Sequence, residues 1–513
     1  KTPKPAISTC GNKNNQGMNL HLNDFLVEYN ELLSRVALEH KGEFSALASP
    51  TLNKQETVTF LYRDVVNKIN GHTRKITKTN PVRLRLEFIA RLGLMIFRLV
   101  KTSLQFRVKS LPKKCIYIRT WLVPRSIQNG KVIDDYFRQL IDDMSEENNV
   151  MVGFQPLGYG VTLRHFKNAP KPENFIIPVG LLSIIDIVII FWKYIISAKV
   201  ILKNKYYFKE SDISNLIYNS LEKDYFKLRS FQAYLELEIA KKIKMFSPKT
   251  FLYIFENQAW ENAYLSIFQD TETKTIGYQS SGFSFRFLNF FPSRLDTEYA
   301  LFPDKILTVG DNFTETLKEF GEYPIPIDTF GALRFDYPTV DRQYVIHESV
   351  SNIFKRILYA FPVHFYQYQQ ITQDLIDVFG NTEIELHLKY HPLFQSSFKN
   401  IELPDNFKVW SPNYNKILNQ TYDLVLFNDN SFGIESLIMG VRSYEYDFGE
   451  VYNENRLFDF DLYHYHLDKI ELINIRDHIL SGTISKELNK KYIQQYIKNM
   501  YMVYDSNTKE TFN

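Results

Sequence analysis

The sequence predicts an α/β protein with two doubly wound, Rossmann-like domains in tandem behind a helical N-terminal region. Three observations predict it. Apolar strands alternate with amphipathic helices from Leu111 onward, the alternation is clearest after Lys355, and in the last third two apolar strands each run out into a short polar cluster. One strand, Ile384 to Leu388, leads to His391-Pro392. The other, Asp423 to Phe427, leads to Asn428-Asp429-Asn430-Ser431 and a helix from about Phe432 to Met439. In open parallel sheets ligands sit beyond the carboxyl ends of the strands, where a helix N-terminus offers unpaired N–H groups to phosphate. A pocket for a nucleotide mono- or diphosphate is therefore expected in this region.

The elements follow in order. Residues 1–110 read as helical and basic: FLVEYNELLSRVALEH and LRLEFIARLGLMIFRLVKTSLQFRVK carry apolar residues at three- and four-residue spacing. The second contains Arg83, Arg85, Arg91, Arg98, Lys101, Arg107 and Lys109, and suits a helix packed on a core with snorkelling rims or one lying on an anionic membrane. Residues 111–310 form the first α/β domain: CIYIRTWLV is a strand, Asn129-Gly130 a turn, and VIDDYFRQLIDDMSEE a helix, and the alternation returns in TFLYIFENQAWENAYLSIFQ and KTIGYQSS. Within it, 175–202 is the most hydrophobic window. Pro178, Gly180, Asp186 and Lys193 interrupt it, so a buried or interfacial helix is expected rather than a span. Residues 311–485 form the second domain, with Gly380 and Gly440 at helix C-caps, and 486–513 form a last helix that could reach back over the first domain.

Composition bounds the partners. Of 513 residues 44% are hydrophobic and 23% charged, which excludes bulk disorder. The 41 Phe and 33 Tyr, with abundant Asn, Ile and Lys, read partly as coding bias and receive little functional weight. A net charge of +3, from 61 basic and 58 acidic residues, is too balanced for a nucleic-acid polymer as main partner. Cys10 and Cys115 alone exclude a disulfide framework and a cysteine metal cluster, and point to reducing cytoplasm. The chain opens at Lys1 with no charged-apolar-cleavage pattern, so no signal peptide is expected, and a trimmed N-terminus stays open.

Two Rossmann-like domains in tandem, the second carrying the phosphate-binding features, resemble the GT-B glycosyltransferase fold, whose domains face a cleft. Within it His391-Pro392 is similar to the His-Pro motif of bacterial sialyltransferases, polysialyltransferases and capsule Kdo transferases. That resemblance implies that His391, Pro392 and nearby backbone hold the phosphate of a CMP-sugar. It also implies that Ser431 and Glu435 match the later serine motif and the acid used on the ribose, with Asn428 and Asn430 in the same turn. Arg334, in the linker-like GALRFDYP, either reaches the donor phosphate or forms a linker salt bridge.

A second constellation, YIFENQAWENAYL followed by IGYQSSGFSF, resembles a pattern in surface-polysaccharide transferases: a strand ending in Glu-Asn, a Trp-Glu helix, then a strand ending in Gly-Tyr-Gln. The His usual after Gln279 is here Ser280. Asn257, Glu261, Gln279 and Ser280 are assigned to the acceptor. Glu256 at its strand end and Asp135 in IDDYF compete as the general base for an inverting displacement, or else each merely complements a helix dipole. There is no Gly-x-Gly-x-x-Gly after a strand, no Walker loop, no Gly-x-Ser-x-Gly elbow and no His-Glu-x-x-His. Asp459-Phe460-Asp461 is a weak metal motif, so no metal and no cofactor are expected beyond the nucleotide-sugar substrate.

The expectation is a cytoplasmic glycosyltransferase, on the inner face of the cytoplasmic membrane, moving a CMP-activated ulosonic acid such as Kdo or sialic acid to a glycan or lipid-linked glycan. Two rivals stand beside it: a CDP-donor polyol-phosphate transferase on the same fold, and a noncatalytic glycan-binding or scaffold subunit, which the Ser280 departure would suit.

Overall fold

The computed structural model describes residues 22–55, 61, 64–65, 68–69, 81–146, 148–157, 161–283, 287–333, 356–362, 367–390, 402–410, 422, 424–428, 430–438, 441–447, 466–482, 500, 502 and 504. Two parallel sheets organise them. The first has seven strands: β1 (Ile116–Leu122), β2 (Val150–Pro156), β3 (Phe175–Ile176), β4 (Thr250–Ile254), β5 (Lys274–Gln279), β6 (Lys305–Thr308) and β7 (Ile327–Thr329), in the spatial order β3-β2-β1-β4-β5-β6-β7. The second has six: β8 (Arg356–Ala360), β9 (Glu385–Lys389), β10 (Phe407–Val409), β11 (Leu424–Phe427), β12 (Ser443–Tyr446) and β13 (His466–Leu467), in the order β10-β9-β8-β11-β12-β13. Every neighbouring pair in both sheets is parallel. Both sheets thus run 3-2-1-4-5-6, the doubly wound order, and each has a switch point between its first and fourth strands where a ligand crevice opens.

The strand sequences explain this. IYIRTWL, TFLYI and LVLF are near-continuous apolar runs, as strands covered on both faces must be. Helices return the chain between strands: α4 (Gln139–Ser145) after β1, α5 (Val161–Asn168) after β2, α9 (Ala259–Phe268) after β4, α10 (Asp311–Phe320) after β6, α11 (Tyr368–Phe379) after β8 and α12 (Ser431–Ile438) after β11. The remaining helices are α1 (Leu22–Leu38), α2 (Phe44–Leu47), α3 (Pro81–Gln105), α6 (Ile184–Ser197), α7 (Ser214–Phe226), α8 (Phe231–Lys244) and α13 (Lys469–Leu480). Gly380 caps α11 as expected, whereas Gly440 lies outside the described residues.

The structure moves three expected boundaries. Helix α4 starts only at Gln139, because the Asp134 carboxylate takes the N–H groups of Tyr136 and Phe137 and Arg138 sits at φ 35°, which together hold IDDYF out of helix. Helix α10 and strand β7 complete the first sheet although they follow residue 310, so the first sheet runs to Thr329. The N-terminal segment is built into the first domain: the α1 face (Tyr29, Leu33, Val36) shares a core with Tyr206, Phe208 and Ile217, Lys54 pairs with buried Asp296, and Asp224 accepts from Ser49 Oγ (2.7 Å) and Thr51 N (2.8 Å).

Among the described residues, parts of both domains pack together. Ala360 and Phe427, at the carboxyl ends of β8 and β11, and Ile434 of α12 belong to the same apolar cluster as the first sheet's core. The C-terminal segment returns to the first sheet, where Met502 N donates to Val309 O (2.8 Å), Ala332 N to Met502 O (2.7 Å) and Tyr504 Oη to Asp143 (3.0 Å). Gly331, at φ 119°, makes room there, since a Cβ would lie 2.9 Å from the Tyr504 Cα. Two doubly wound domains in series, with the C-terminus returning to the first, give the GT-B-like architecture expected from the sequence.

Candidate active site

At the second switch point, between β8 and β11, the chain builds a rigid helix start. Asn430 Nδ2 donates to Ala360 O (2.8 Å), at the end of β8, and to Asn428 O (2.8 Å), while its Oδ1 accepts from Phe432 N (3.0 Å). One amide thus ties the two switch-point strands together and caps α12. Buried Asn428 donates to Tyr446 O (2.8 Å), anchoring β12. Gly433 lets the helix lie against β11, because a Cβ there would overlap the Phe427 ring. Ser431 is the first helical residue, and Asn430 is the cap. Asn428 and Asn430, assigned to the donor, spend these amide contacts on backbone and position the helix.

Sequence reasoning missed a cation at this edge. Lys389 ends β9, and its ammonium lies 4.3 Å from the ring centroid of Phe432 in the first turn of α12. A lysine closing an apolar strand two residues before His391-Pro392 was the available signal. The histidine inside that strand is structural. His387 is buried, with Nδ1 2.7 Å from Tyr422 Oη and Nε2 2.5 Å from Glu385, and burial lowers its pKa against the pull of that carboxylate. Burial also opposes ionisation of Glu385, but hydrogen bonds from Lys408 and His387 and the Arg356 charge overcome it and hold the carboxyl down at about 2. Arg334, His391 and Pro392 lie outside the described residues, as do the side chains of Ser431 and Glu435 within α12.

The first switch point, between β1 and β4, carries acids. The loop after β4 is clamped: Asn257, at φ 49°, donates through Nδ2 to Asn289 O (2.6 Å), and Asn289 Nδ2 donates back to Glu256 O (2.5 Å). Glu261 Oε1 accepts from Glu256 N (2.9 Å) and Gln258 N (2.9 Å), closing a capping box at the start of α9. Within this clamp the Glu256 carboxylate is half-buried and accepts from Gln258 Nε2 (2.7 Å).

The other candidates differ. Glu261 is buried, and burial pushes its carboxyl well above the usual carboxylate range, so the expected acceptor contact is corrected to a loop-holding role. Asp135 is buried and ion-paired with Arg125 (3.2 Å) and Arg138 (3.5 Å). Gln279 is buried and uses its amide on Val309 N (3.3 Å) and Ser281 O, so it supports the loop rather than touching an acceptor. Ser280 is buried, and its hydroxyl has no hydrogen-bond partner among the described residues. Beside Asp135, burial raises Asp134 to about 6 despite hydrogen bonds from two backbone N–H groups.

Beneath this edge lies an unforeseen buried ion pair. Arg119, fully buried in mid-β1, is sandwiched between the rings of Trp121 (3.7 Å) and Trp260 (3.5 Å) and donates through Nη2 to Glu236 Oε1 (2.8 Å). Gln232 and Tyr264 complete the Glu236 carboxylate at 2.8 and 2.7 Å. The signal was a lone arginine in a strand otherwise apolar on both faces. Among the described residues no three His, Cys, Asp or Glu side chains are grouped to hold a metal ion, and Asp459-Phe460-Asp461 lies outside them.

Fold and site together define a GT-B-like, two-domain α/β protein with a helix start at one switch point and a half-buried carboxylate at the other. No known sequence family and no curated protein matches the chain. Solved structures that resemble it include the glycotransferase of kitacinnamycin (11% identity, TM-score 0.41, 78% of this chain and 96% of that one). The UDP-GlcNAc 2-epimerase from Neisseria meningitidis bound to UDP-GlcNAc aligns at 10% identity and TM-score 0.42, over 77% of this chain and 97% of that one. A variant of the wall teichoic acid polymerase TagF aligns at 10% and 0.39, over 84% and 96%. At such scores the likeness carries neither substrate nor mechanism to this chain.

Proposed function

We propose that this protein is a metal-independent glycosyltransferase that moves a sugar from a nucleotide donor to a cell-surface glycan, free or lipid-linked, at the inner face of the cytoplasmic membrane. The observation that carries the proposal is the Asn430 tie, which fixes the N-terminus of α12 at the topological switch point of the second sheet. A helix start so placed binds phosphate through backbone N–H groups and contributes roughly 0.3–1 kcal/mol. Lys389 adds positive charge beside it, and His391, by its resemblance to the His-Pro motif, adds a charge-assisted hydrogen bond of roughly 1.5–3 kcal/mol.

In the reaction the acceptor hydroxyl oxygen attacks the anomeric carbon, the bond from that carbon to the donor phosphate breaks, and the nucleotide leaves with the electron pair. Negative charge develops on the departing phosphate, where the helix start and Lys389 stabilise it. Glu256 takes the hydroxyl proton. Its partner Gln258 and the Asn257–Asn289 clamp hold it in place.

The proposed donor is a CMP-activated ulosonic acid. Thermal denaturation with CMP, CDP, UDP and GDP tests this directly, because a ligand at 100 times its dissociation constant stabilises by about 2.7 kcal/mol. A shift largest with CMP and lost in His391→Ala supports the donor site. A shift with CDP alone favours polyol-phosphate transfer, and no shift with any of the four removes the donor site.

A further inference from the structure

Two helices of the first domain carry an apolar surface that the fold leaves uncovered. Helix α6 buries Ile187, Ile190 and Tyr194 on one side and exposes Ile185, Val188, Ile189, Trp192, Ile195 and Ile196 on the other, with Ile185 71% and Trp192 65% accessible. The two charges that interrupt this apolar segment are turned aside onto α8: Asp186 pairs with Lys242 (2.9 Å) and Lys193 with Glu238 (2.7 Å). The outward face of α6 therefore carries no charge. Helix α3 packs along α6 and is pinned to its entry, Ser103 Oγ donating to Leu182 O (2.5 Å) and Val108 N to Gly180 O (3.0 Å). It exposes a stripe of its own, Val82, Leu86, Ile89, Phe97 and Leu104, at helical spacing that keeps all five on one side.

Charge decides what covers this platform. Between residues 81 and 109 seven basic side chains face Glu87 alone, a surplus of six positive charges in a chain whose net charge is +3. Arg91, Arg98 and Lys101 of α3, and Arg107 and Lys109 just beyond it, are all exposed. Apolar faces with an exposed Trp and a basic rim match a bilayer interface, with side chains among the acyl chains and cations at anionic headgroups. Insertion is confined to one leaflet: α6 has 14 residues and spans about 21 Å, short of the roughly 30 Å hydrocarbon core, and among the described residues no helix is long and apolar enough to cross.

We propose that the paired faces of α3 and α6 form the surface by which this protein docks on an anionic lipid bilayer. The inference rests on the proposed membrane-surface location and names the residues that produce it.

Co-sedimentation of the full chain with phosphatidylcholine vesicles, with and without phosphatidylglycerol, tests it. The wild type sediments with the anionic vesicles, less so as salt rises. The double variant Ile185→Asp/Trp192→Asp lowers the bound fraction at least tenfold, and Arg91→Glu/Arg98→Glu does the same at low salt. These positions are exposed, so unchanged melting curves show that folding is intact. Equal binding by wild type and both variants overturns the proposal. So does a wild-type dimer, seen by light scattering, that Trp192→Asp dissociates in the absence of any vesicle binding, since a second copy would then cover the face. Nucleotide thermal shifts on the same samples separate the two claims: vesicle binding without any nucleotide shift overturns the transferase alone, and nucleotide shifts without vesicle binding overturn the docking surface alone.

Discussion

The two sheets share one strand order and differ in what they place at their switch points. The first gathers carboxylates there, Asp134, Asp135, Glu256 and Glu261, above a buried Arg119–Glu236 pair. The second places no acid among its described switch-point side chains, and gathers amides, a lysine and a capped helix start. Topology marks where a ligand can sit, and on the function proposed above side-chain chemistry would divide the labour: proton acceptance at the first edge, phosphate binding at the second. Within the acidic edge, hydrogen bonding makes a further selection. Three of the four acids are buried, and Glu256 is half-buried with its carboxylate accepting from Gln258.

The largest expected effect tests that selection. Glu256→Gln lowers turnover by roughly 10²–10⁴-fold with nucleotide affinity retained, as general-base loss does, while Asp135→Asn changes turnover little. Transfer rates and nucleotide titrations on both variants check this, and the reverse ranking would make Asp135 the base. Next, Arg119→Met strands the Glu236 carboxylate in the core and costs about 3–5 kcal/mol in urea unfolding, most of it restored by adding Glu236→Gln.

The third effect is pH-dependent. Asp134 is raised from 3.8 to about 6 in the folded protein, so its protonated form favours the fold: the stability is fully present below pH 3.8 and is lost as pH rises through about 6. A shift of that size is worth on the order of 3 kcal/mol, and Asp134→Asn, which keeps an oxygen for the Tyr136 and Phe137 N–H groups, removes that slope from the stability curve. Smallest in stability is Asn430→Ala, a lost cap of about 1–2 kcal/mol, accompanied by weaker nucleotide binding. Loss of stability with unchanged nucleotide affinity would separate the helix start from the donor site.

Much of the fold was legible because strand and helix periods differ, and runs such as TFLYI and LVLF declare buried parallel strands whatever surrounds them. The division between domains was not, because α10 and β7 obey the same alternation whichever sheet they join, and only their pairing with β6 assigns them. A helix start was misplaced where a side chain competes with the backbone, as Asp134 does before α4. The candidate site was half legible. A strand-end carboxylate marks an edge, but Glu256 and Glu261 look alike in sequence, and only the capping box at Gln258 shows that Glu261 is spent on N–H groups. Arg119 stayed hidden because its partner Glu236 lies 117 residues away.

The central claim is that nucleotide binds at the second switch point and not at the first. Hydrogen–deuterium exchange with and without the nucleotide that gives the largest thermal shift measures it directly. Slowed exchange in peptides covering 428–438, at the start of α12, with 255–261 unchanged, is the result expected. Protection confined to 255–261, with 428–438 exchanging as in the free protein, would contradict it.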